Sequence, residues 1–72
     1  MDIRNVIAEN VKYYRKEAGL TQLKASEITG ISHIYWNYIE KQRALPSIVI
    51  LQRMCNTIQV PISKVFEENT GL

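Results

Sequence analysis

Two short helical segments separated by only three residues constrain the fold of this 72-residue chain more than any other feature of its sequence. Thr21 is a favourable N-cap for a helix over residues 22–29, and Gly30 ends that helix because a residue without Cβ adopts the left-handed conformation at little cost. Ser32 is the N-cap of the next helix, which is predicted over about residues 33–41. Two helices of this length, joined by so tight a turn, predict a helix-turn-helix.

The rest of the chain predicts three more helices, so we expect an all-α, compact five-helix domain. The first helix runs from an Asp2 cap to a stop at Gly19, with apolar residues at helical spacing: Ile3, Ile7, Val11, Tyr14 and Ala18. The fourth helix begins after Ser47, and its wide apolar surface suggests the most buried position: Ile48, Ile50, Leu51, Met54, Cys55 and Ile58. The fifth helix is predicted from Pro61 to about Glu68, with three packing residues: Ile62, Val65 and Phe66.

Length and composition favour a single domain over residues 1–72, with the helix-turn-helix at about 21–41 and a short flexible tail at 69–72. A hydrophobic content of 46% is ample for a helical bundle and too high for a disordered chain. The one cysteine, Cys55, is expected to be a small core residue, since it has no partner for an internal disulfide. We expect a cytoplasmic protein, because the sequence has neither an apolar run of membrane-spanning length nor a signal-peptide pattern.

The predicted third helix has an inward face and an outward stripe of unusual composition. At about 100° per residue, Trp36 and Ile39 point inward. The opposite stripe has i, i+3, i+4, i+7 spacing and consists of Ile34, Asn37, Tyr38 and Lys41. Large apolar side chains are poor choices for pure solvent exposure in a small protein, so the stripe favours a binding surface over a solvated face. These residues alone leave open whether the partner is DNA or protein.

The chemistry of the stripe suits the major groove of DNA. Asn37 can bond adenine through two contacts, and Ile34 can cover a thymine methyl group. His33, at the N-terminus of the helix, can bond a base or a phosphate, and so can Tyr38. If the third helix enters a groove, these are the side chains that reach base edges.

Basic and polar residues around the motif are candidates for phosphate contacts. The start of the second helix, at Thr21 and Gln22, offers free backbone N–H groups at the positive end of a helix dipole. Lys24 lies on an outer surface, and Lys41 and Arg43 flank the loop after the third helix. Each phosphate contact would steepen the salt dependence of DNA binding. Ordinary solubilising charge is an equally good interpretation of Lys24 and Arg43.

Two further charged residues are interpreted as structural. Arg15 lies late on the first helix and Glu40 at the end of the third, both next to inward positions. We expect them to form a partly buried ion pair that ties the ends of these helices together. Removing either partner alone is expected to be costly, because it leaves a buried charge unpaired.

Together these residues resemble the lambda-repressor-like helix-turn-helix regulators, also called the Cro/CI or Xre family. The resemblance covers roughly residues 11–66 and rests on spaced elements: Arg15-x-x-x-Gly19-Leu20-Thr21-Gln22, Gly30-Ile31-Ser32, Ile39-Glu40, Pro46-Ser47 and Val60-x-x-x-x-Val65-Phe66. It implies a five-helix fold, a bacterial or phage-encoded, nucleoid-associated protein, and binding to a double-stranded DNA operator, usually palindromic, by a homodimer. By position it implies that Gln22 contacts a phosphate and supports the third helix. It also implies a recognition surface of Ser32, His33, Ile34, Asn37 and Tyr38.

The chain departs from the pattern of this family at three places. The inner face of the second helix usually carries two large aliphatic residues around an alanine, where this chain has Ala25, Ser26 and Thr29. We hypothesise that Trp36 fills the volume that these small residues leave. Gln42 stands where a glycine is common, so the loop is expected to follow a different turn. The apolar and aromatic outward stripe replaces the usual short polar residues.

The leading functional hypothesis is a small transcriptional regulator that acts as a repressor; a controller protein of a restriction-modification system remains open. The alternative is a protein-interaction module or antitoxin-like partner that uses the aromatic face of the third helix. An enzyme has little support, because the sequence shows no catalytic constellation, metal-ligand cluster or phosphate-cradling glycine loop. No cofactor or metal is expected.

Dimerisation is expected because one short helix offers little specificity, whereas two half-sites one turn apart supply more. The candidate interface is the fifth helix together with the end of the fourth. Its residues, some of which must also serve the core, are Ile58, Val60, Ile62 and Phe66.

Overall fold

The computed structural model describes residues 2–68, which form four α-helices followed by one short 3₁₀ helix. The elements are α1 (Ile3–Glu17), α2 (Gln22–Thr29), α3 (His33–Glu40), α4 (Ile48–Ile58) and the 3₁₀ helix (Ile62–Phe66). The all-helical class and the two helices of the motif were predicted correctly. The prediction of five helices is not confirmed, because residues 2–68 contain four α-helices and the fifth element is a short 3₁₀ helix. The predicted tail at 69–72 lies outside the described residues.

The last element is a five-residue 3₁₀ helix that is anchored to α1. It follows Pro61, which has no backbone N–H, and no side chain caps its start. Asn10, buried in α1, holds this segment in place by donating from Nδ2 to the carbonyl oxygens of Val65 at 2.9 Å and Glu67 at 2.8 Å.

Side-chain caps and glycines determine where the α-helices begin and end. Each α-helix starts after a side chain that accepts a backbone N–H at 3.0–3.2 Å, as predicted for Asp2, Thr21, Ser32 and Ser47. Gly19 and Gly30, with φ of 74° and 81°, follow α1 and α2 in the left-handed conformation. Local interactions therefore determine where α2 and α3 begin and where α2 ends.

The hydrophobic core brings all five elements together around a fully buried tryptophan. Its buried members are Ile7, Val11, Ala25, Trp36, Ile39, Leu51, Met54, Cys55, Ile58 and Val65. Trp36 and Ala25 are both 0% exposed and belong to this one cluster. The full burial of Trp36 in the same cluster as Ala25 agrees with the hypothesis that its indole fills volume left by the small residues of α2.

Several residues expected in the core lie on the surface instead. Ile48 is 62% exposed, because the buried face of α4 is centred on Leu51, Met54 and Cys55. Phe66 is 38% exposed, and Val65 beside it supplies the buried contact of the 3₁₀ helix. Ile3 and Ala18, which were predicted to belong to the apolar face of the first helix, are exposed as well. Tyr35 of α3 is half-buried against the core.

The expectation that the loop after α3 follows a different turn, because Gln42 replaces a glycine, is wrong. Gln42 adopts φ of 64°, the left-handed conformation that glycine favours at such positions. Its Nε2 donates to Asn5 Oδ1 at 3.1 Å, so the side chain gains a contact to α1 that a glycine lacks. Gln42 therefore adopts the backbone conformation that a glycine would adopt at this position.

Candidate nucleic-acid interface

The outward face of α3 forms one side of a shallow cleft whose other side is the start of α2. The cleft is lined by Gln22, His33, Ile34, Asn37 and Tyr38. Ile34 is the most exposed of the large apolar side chains in residues 2–68, at 67%. The structure thus brings together four of the five residues predicted to contact bases. The fifth, Ser32, lies at the start of the same helix, where its Oγ accepts the backbone N–H of Tyr35 at 3.0 Å.

Three basic residues lie on or directly after the two helices that form this cleft: Lys24 in α2, and Lys41 and Arg43 after α3. Lys24, Lys41 and Arg43 are exposed, and none of them forms an ion pair with another described residue. The Arg43 guanidinium lies 6.0 Å from the centroid of the Tyr38 ring, close enough for a weak cation–π contact that links the loop to α3. Thr21, the other predicted phosphate contact, is exposed at the N-terminus of α2, where its hydroxyl caps the helix.

Behind the cleft, the carboxylate of Glu40 accepts four hydrogen bonds, two on each oxygen. Oε2 accepts from Arg15 Nε at 2.7 Å and from the indole Nε1 of Trp36. Oε1 accepts from Arg15 Nη2 at 3.1 Å and from Gln22 Nε2 at 3.0 Å. The predicted partners Arg15 and Glu40 are therefore in contact, and their side chains are only 9% and 2% exposed. All the acceptor positions of the carboxylate are used.

Glu40 is held as a carboxylate by these donors. Burial raises the pKa of Glu40, but the hydrogen bonds from Arg15, Trp36 and Gln22 outweigh burial and lower the pKa below its ordinary value. The only acidic residue of α3 is thus neutralised on the inner side of the helix. The outward face of α3 carries no negative charge of its own.

The hydrogen bonds of Gln22 connect this buried carboxylate to the cleft. While its Nε2 donates to Glu40, its Oε1 accepts from Asn37 Nδ2 at 2.9 Å. From the sequence, Gln22 was expected to support the third helix, but the contact to Asn37 was not foreseen. The bond from Trp36 to Glu40 was also missed, although the i, i+4 spacing of the two residues was a usable signal.

Arg53, an exposed residue of α4, supports the turn of the motif. Its Nη2 donates to the carbonyl oxygen of Thr29 at 2.6 Å, at the C-terminal end of α2, where carbonyl groups lack helical partners. A Cβ at Gly30 would lie 2.8 Å from the same nitrogen. The Arg53 guanidinium therefore lies where a side chain at position 30 would begin, in the turn between α2 and α3.

The residues predicted for a dimer interface are largely used inside the chain. Ile58 is 2% exposed in the core, and Val60 and Ile62 are partly buried against it. Phe66 alone of the four is exposed. The prediction that Ile58 lies at an interface is therefore wrong, because its side chain is already enclosed by its own domain.

His33 and Cys55 lie on different helices and differ in exposure. His33 is exposed at the start of α3, whereas Cys55 is buried in α4, where burial raises the pKa of its thiol to about 11. A thiol with so high a pKa is a poor nucleophile near neutral pH. Within residues 2–68, no group of three or more His, Cys, Asp or Glu side chains is arranged to hold a metal ion. None of the helices there is long and apolar enough to cross a membrane.

Comparison with known sequences places the motif in a defined family. Residues 11–65 match the HTH_3 family, described as helix-turn-helix. The chain is 35% identical over 60 residues to the control protein C.SmaI of Serratia marcescens, covering 79% of this chain and 71% of the relative. It is 30% identical over 64 residues to the immunity repressor protein of Bacillus phage phi105, covering 89% of this chain but only 44% of the repressor.

Solved structures show the same fold at lower identity. The hypothetical transcription factor NHTF from Neisseria matches with a TM-score of 0.88 and 21% identity, over 92% of this chain and 76% of that chain. The restriction-modification controller protein C.AhdI from Aeromonas hydrophila matches with a TM-score of 0.84 and 16% identity, over 88% of this chain and 96% of that chain. These likenesses support the helical architecture described above.

Proposed function

This chain belongs to the HTH_3 helix-turn-helix family, and from that membership we propose that it is a small transcriptional regulator, a repressor, that binds double-stranded DNA with sequence specificity. The observation that carries the proposal is the outward face of α3. It combines an exposed isoleucine, a tyrosine and an amide in one cleft bordered by cations without ion-pair partners. A regulator of this kind acts where the DNA is, so we place it in the cytoplasm, at the nucleoid.

In the proposed complex, α3 lies in the major groove and presents its cleft residues to base edges. Ile34 covers a thymine methyl group, Asn37 bonds a base through its amide, and His33 and Tyr38 bond bases or phosphates. The hydroxyl of Ser32 retains its proton for a further contact, because only its oxygen is used in capping.

Phosphate contacts are proposed on both sides of the groove. The backbone N–H groups at the start of α2 hold one phosphate beside Thr21 and Gln22. Lys24, Lys41 and Arg43 are exposed and available for others. These contacts position α3 without selecting a sequence, and they make binding strongly dependent on salt.

We propose that the protein acts as a homodimer on a palindromic operator, through an interface other than the one expected from the sequence. Leu45, Ile48 and Val49 are 48%, 62% and 65% exposed within five consecutive residues. Residues 44–51 contain no charged side chain, so two copies can meet there without opposing like charges. An uncharged apolar surface of this kind is typical of the centre of an interface.

The test is selection of binding sites from a pool of random duplex DNA at moderate salt, with an Asn37→Ala/Tyr38→Ala double variant in parallel. We expect the wild-type protein to enrich a palindrome and the double variant to lose it while keeping its helical circular dichroism spectrum. If the wild type is retained only weakly and without sequence preference, the proposal is wrong. The exposed face of α3 would then be assigned to a protein partner.

A further inference from the structure

We propose that the buried Glu40 determines which base Asn37 selects, by fixing the amide orientation of Gln22 and, through it, that of Asn37. The inference rests on the proposed binding of α3 to DNA, and it assigns adenine to the position that Asn37 contacts. Glu40 and Gln22 are positioning residues in this scheme, and only Asn37 touches the base.

The first link is the contact between Glu40 and Gln22. An ionised carboxylate has no proton to donate, so Gln22 can bond it only through its amide nitrogen. Nε2 of Gln22 lies 3.0 Å from Glu40 Oε1. Turning the Gln22 amide over would bring two oxygens to this distance and lose a charge-assisted hydrogen bond. The donors Arg15 and Trp36 hold the carboxylate itself in place.

The second link is the contact between Gln22 and Asn37, by which the amide orientation of Gln22 determines that of a residue in the cleft. Because Nε2 of Gln22 faces Glu40, its Oε1 faces α3 and can only accept a hydrogen bond. Asn37 meets it with Nδ2 at 2.9 Å. The amide of Asn37 is thereby fixed as well, since its own oxygen cannot face another oxygen.

What Asn37 offers to a ligand follows from these two links. Its Oδ1 accepts no hydrogen bond from the other described residues, and one of the two hydrogens on Nδ2 remains available. A base edge therefore meets one acceptor next to one donor. In the major groove adenine presents the complementary pair, the N6 donor and the N7 acceptor. Guanine presents two acceptors, N7 and O6, and would require two donors from Asn37.

Replacing the carboxylate by an amide tests the scheme directly. In a Glu40→Gln variant, an amide nitrogen turned toward Gln22 gives up one hydrogen bond, that from Arg15 Nη2, while the amide oxygen still accepts from Arg15 Nε and Trp36 Nε1. The opposite orientation would give up two, those from Arg15 Nε and Trp36 Nε1, so the new amide should turn its nitrogen toward Gln22. Gln22 then turns over to accept this hydrogen bond and donates to Asn37, which turns over in its turn. Both Nδ2 hydrogens of Asn37 would face the groove, so we expect the preferred base to change from adenine to guanine.

The experiment is site selection from random duplex DNA with five proteins: wild type, Asn37→Ala, Gln22→Met, Glu40→Gln and Glu27→Gln. In the wild type we expect one position per half-site to favour adenine over guanine roughly tenfold or more. Asn37→Ala identifies that position by losing its preference. Gln22→Met, of similar length but without polar atoms, should weaken the preference there and leave the other positions unchanged. Glu27→Gln makes the same chemical change at an exposed glutamate of α2 and should alter nothing.

The outcomes separate this inference from the proposed function. If the wild type enriches no sequence, the DNA-binding proposal fails and the inference fails with it. Two results would overturn only the inference. In the first, the wild type enriches a site but favours a base other than adenine at the position that depends on Asn37. In the second, the base preference at that position is unchanged in both Gln22→Met and Glu40→Gln. Should Glu40→Gln fail to fold, Gln22→Met still decides.

A measurement without DNA tests the chain of hydrogen bonds itself. In the free protein, the side-chain amide signals of Asn37 in ¹⁵N-correlated NMR spectra should shift in Gln22→Met and in Glu40→Gln. They should stay in place in Glu27→Gln. Unchanged Asn37 signals in both of the first two variants would contradict the coupling.

Discussion

At the scale of single residues, Glu40 connects the first three helices of the chain. Arg15 reaches it from α1, Gln22 reaches it from α2, and Glu40 itself ends α3. A carboxylate with a 2% exposed side chain is tolerated here because four donors surround it. The residue that looks least suited to a small core is thus the one that fixes the position of α3.

Replacing Arg15 by alanine should show how much the stability of the fold depends on the hydrogen bonds around Glu40. We expect Arg15→Ala to lower the free energy of unfolding by about 3–5 kcal/mol, because it leaves a buried carboxylate without its counter-ion. That loss approaches the whole stability of a domain of this size. Urea denaturation followed by circular dichroism measures it. The control Arg4→Ala, at an exposed position of the same helix, should change the free energy by less than about 0.5 kcal/mol. Equal effects at the two positions would contradict the account.

The same carboxylate should make the protein sensitive to acid. The pKa of Glu40 is lower in the folded protein than its ordinary value of 4.5, so its contribution to stability is fully present above that value. The contribution is lost as the pH falls through the lower, folded-state pKa. Urea midpoints measured from neutral pH into this acidic range should therefore fall less steeply in Glu40→Gln than in the wild type. Glu9→Gln, at an exposed position of α1, should keep the wild-type slope. Identical slopes in all three proteins would argue against Glu40.

At the scale of elements, α2 and α3 were predictable because their limits are set by neighbours in the sequence. A capping hydroxyl and a left-handed glycine each act within three residues, so their signals are visible in the chain itself. The fifth element was not predictable in kind, because a 3₁₀ and an α-helix share the same apolar spacing over so short a length. The exposed start of α4 was missed because Ile48 and Val49 are apolar without facing the core.

The two glycines that follow α1 and α2 allow a matched comparison. Both have positive φ, so alanine at either should cost about 1 kcal/mol from backbone strain. A Cβ at Gly19 would meet open space, whereas one at Gly30 would displace Arg53 from its hydrogen bond to Thr29. We therefore expect Gly30→Ala to cost about 1 kcal/mol more than Gly19→Ala in urea denaturation. In an Arg53→Ala background the difference should disappear; if it persists, Arg53 is not its cause.

At the scale of the whole molecule, the site was only partly predictable from the sequence. The outward residues of α3 follow from helical periodicity, which identifies a face without a structure. Behind that face, the pairing of Arg15 with Glu40 was predicted from their places next to inward positions, but the hydrogen bond from Asn37 to Gln22, 15 positions apart, was not. Such pairings depend on how the helices pack. Sequence spacing cannot show that Gln22 would bond Asn37 as well as Glu40.

The exposed apolar residues Leu45, Ile48 and Val49 also lead to a prediction about the homodimer. Ile48→Glu should raise the dissociation constant of the dimer by on the order of tenfold or more, because an unpaired carboxylate resists burial in an interface. The variant should still fold, since a glutamate at the first position of α4 suits the helix dipole. Sedimentation equilibrium measures the constant, and Ile28→Glu, at a similarly exposed position of α2, is the control. Unaltered association in Ile48→Glu, or a monomeric wild type, would contradict the proposed interface.

The central claim, that the outward face of α3 binds DNA bases, is tested most directly by titrating the selected duplex with two isoleucine variants. Ile34 and Ile28 are 67% and 56% exposed, and only Ile34 lies in the cleft. We predict that Ile34→Ala weakens binding to the selected duplex roughly five- to tenfold, because it removes an apolar contact that DNA would bury. Ile28→Ala should bind within about twofold of the wild type, as expected of a surface change outside the interface. Equal affinities for the two variants would contradict the claim.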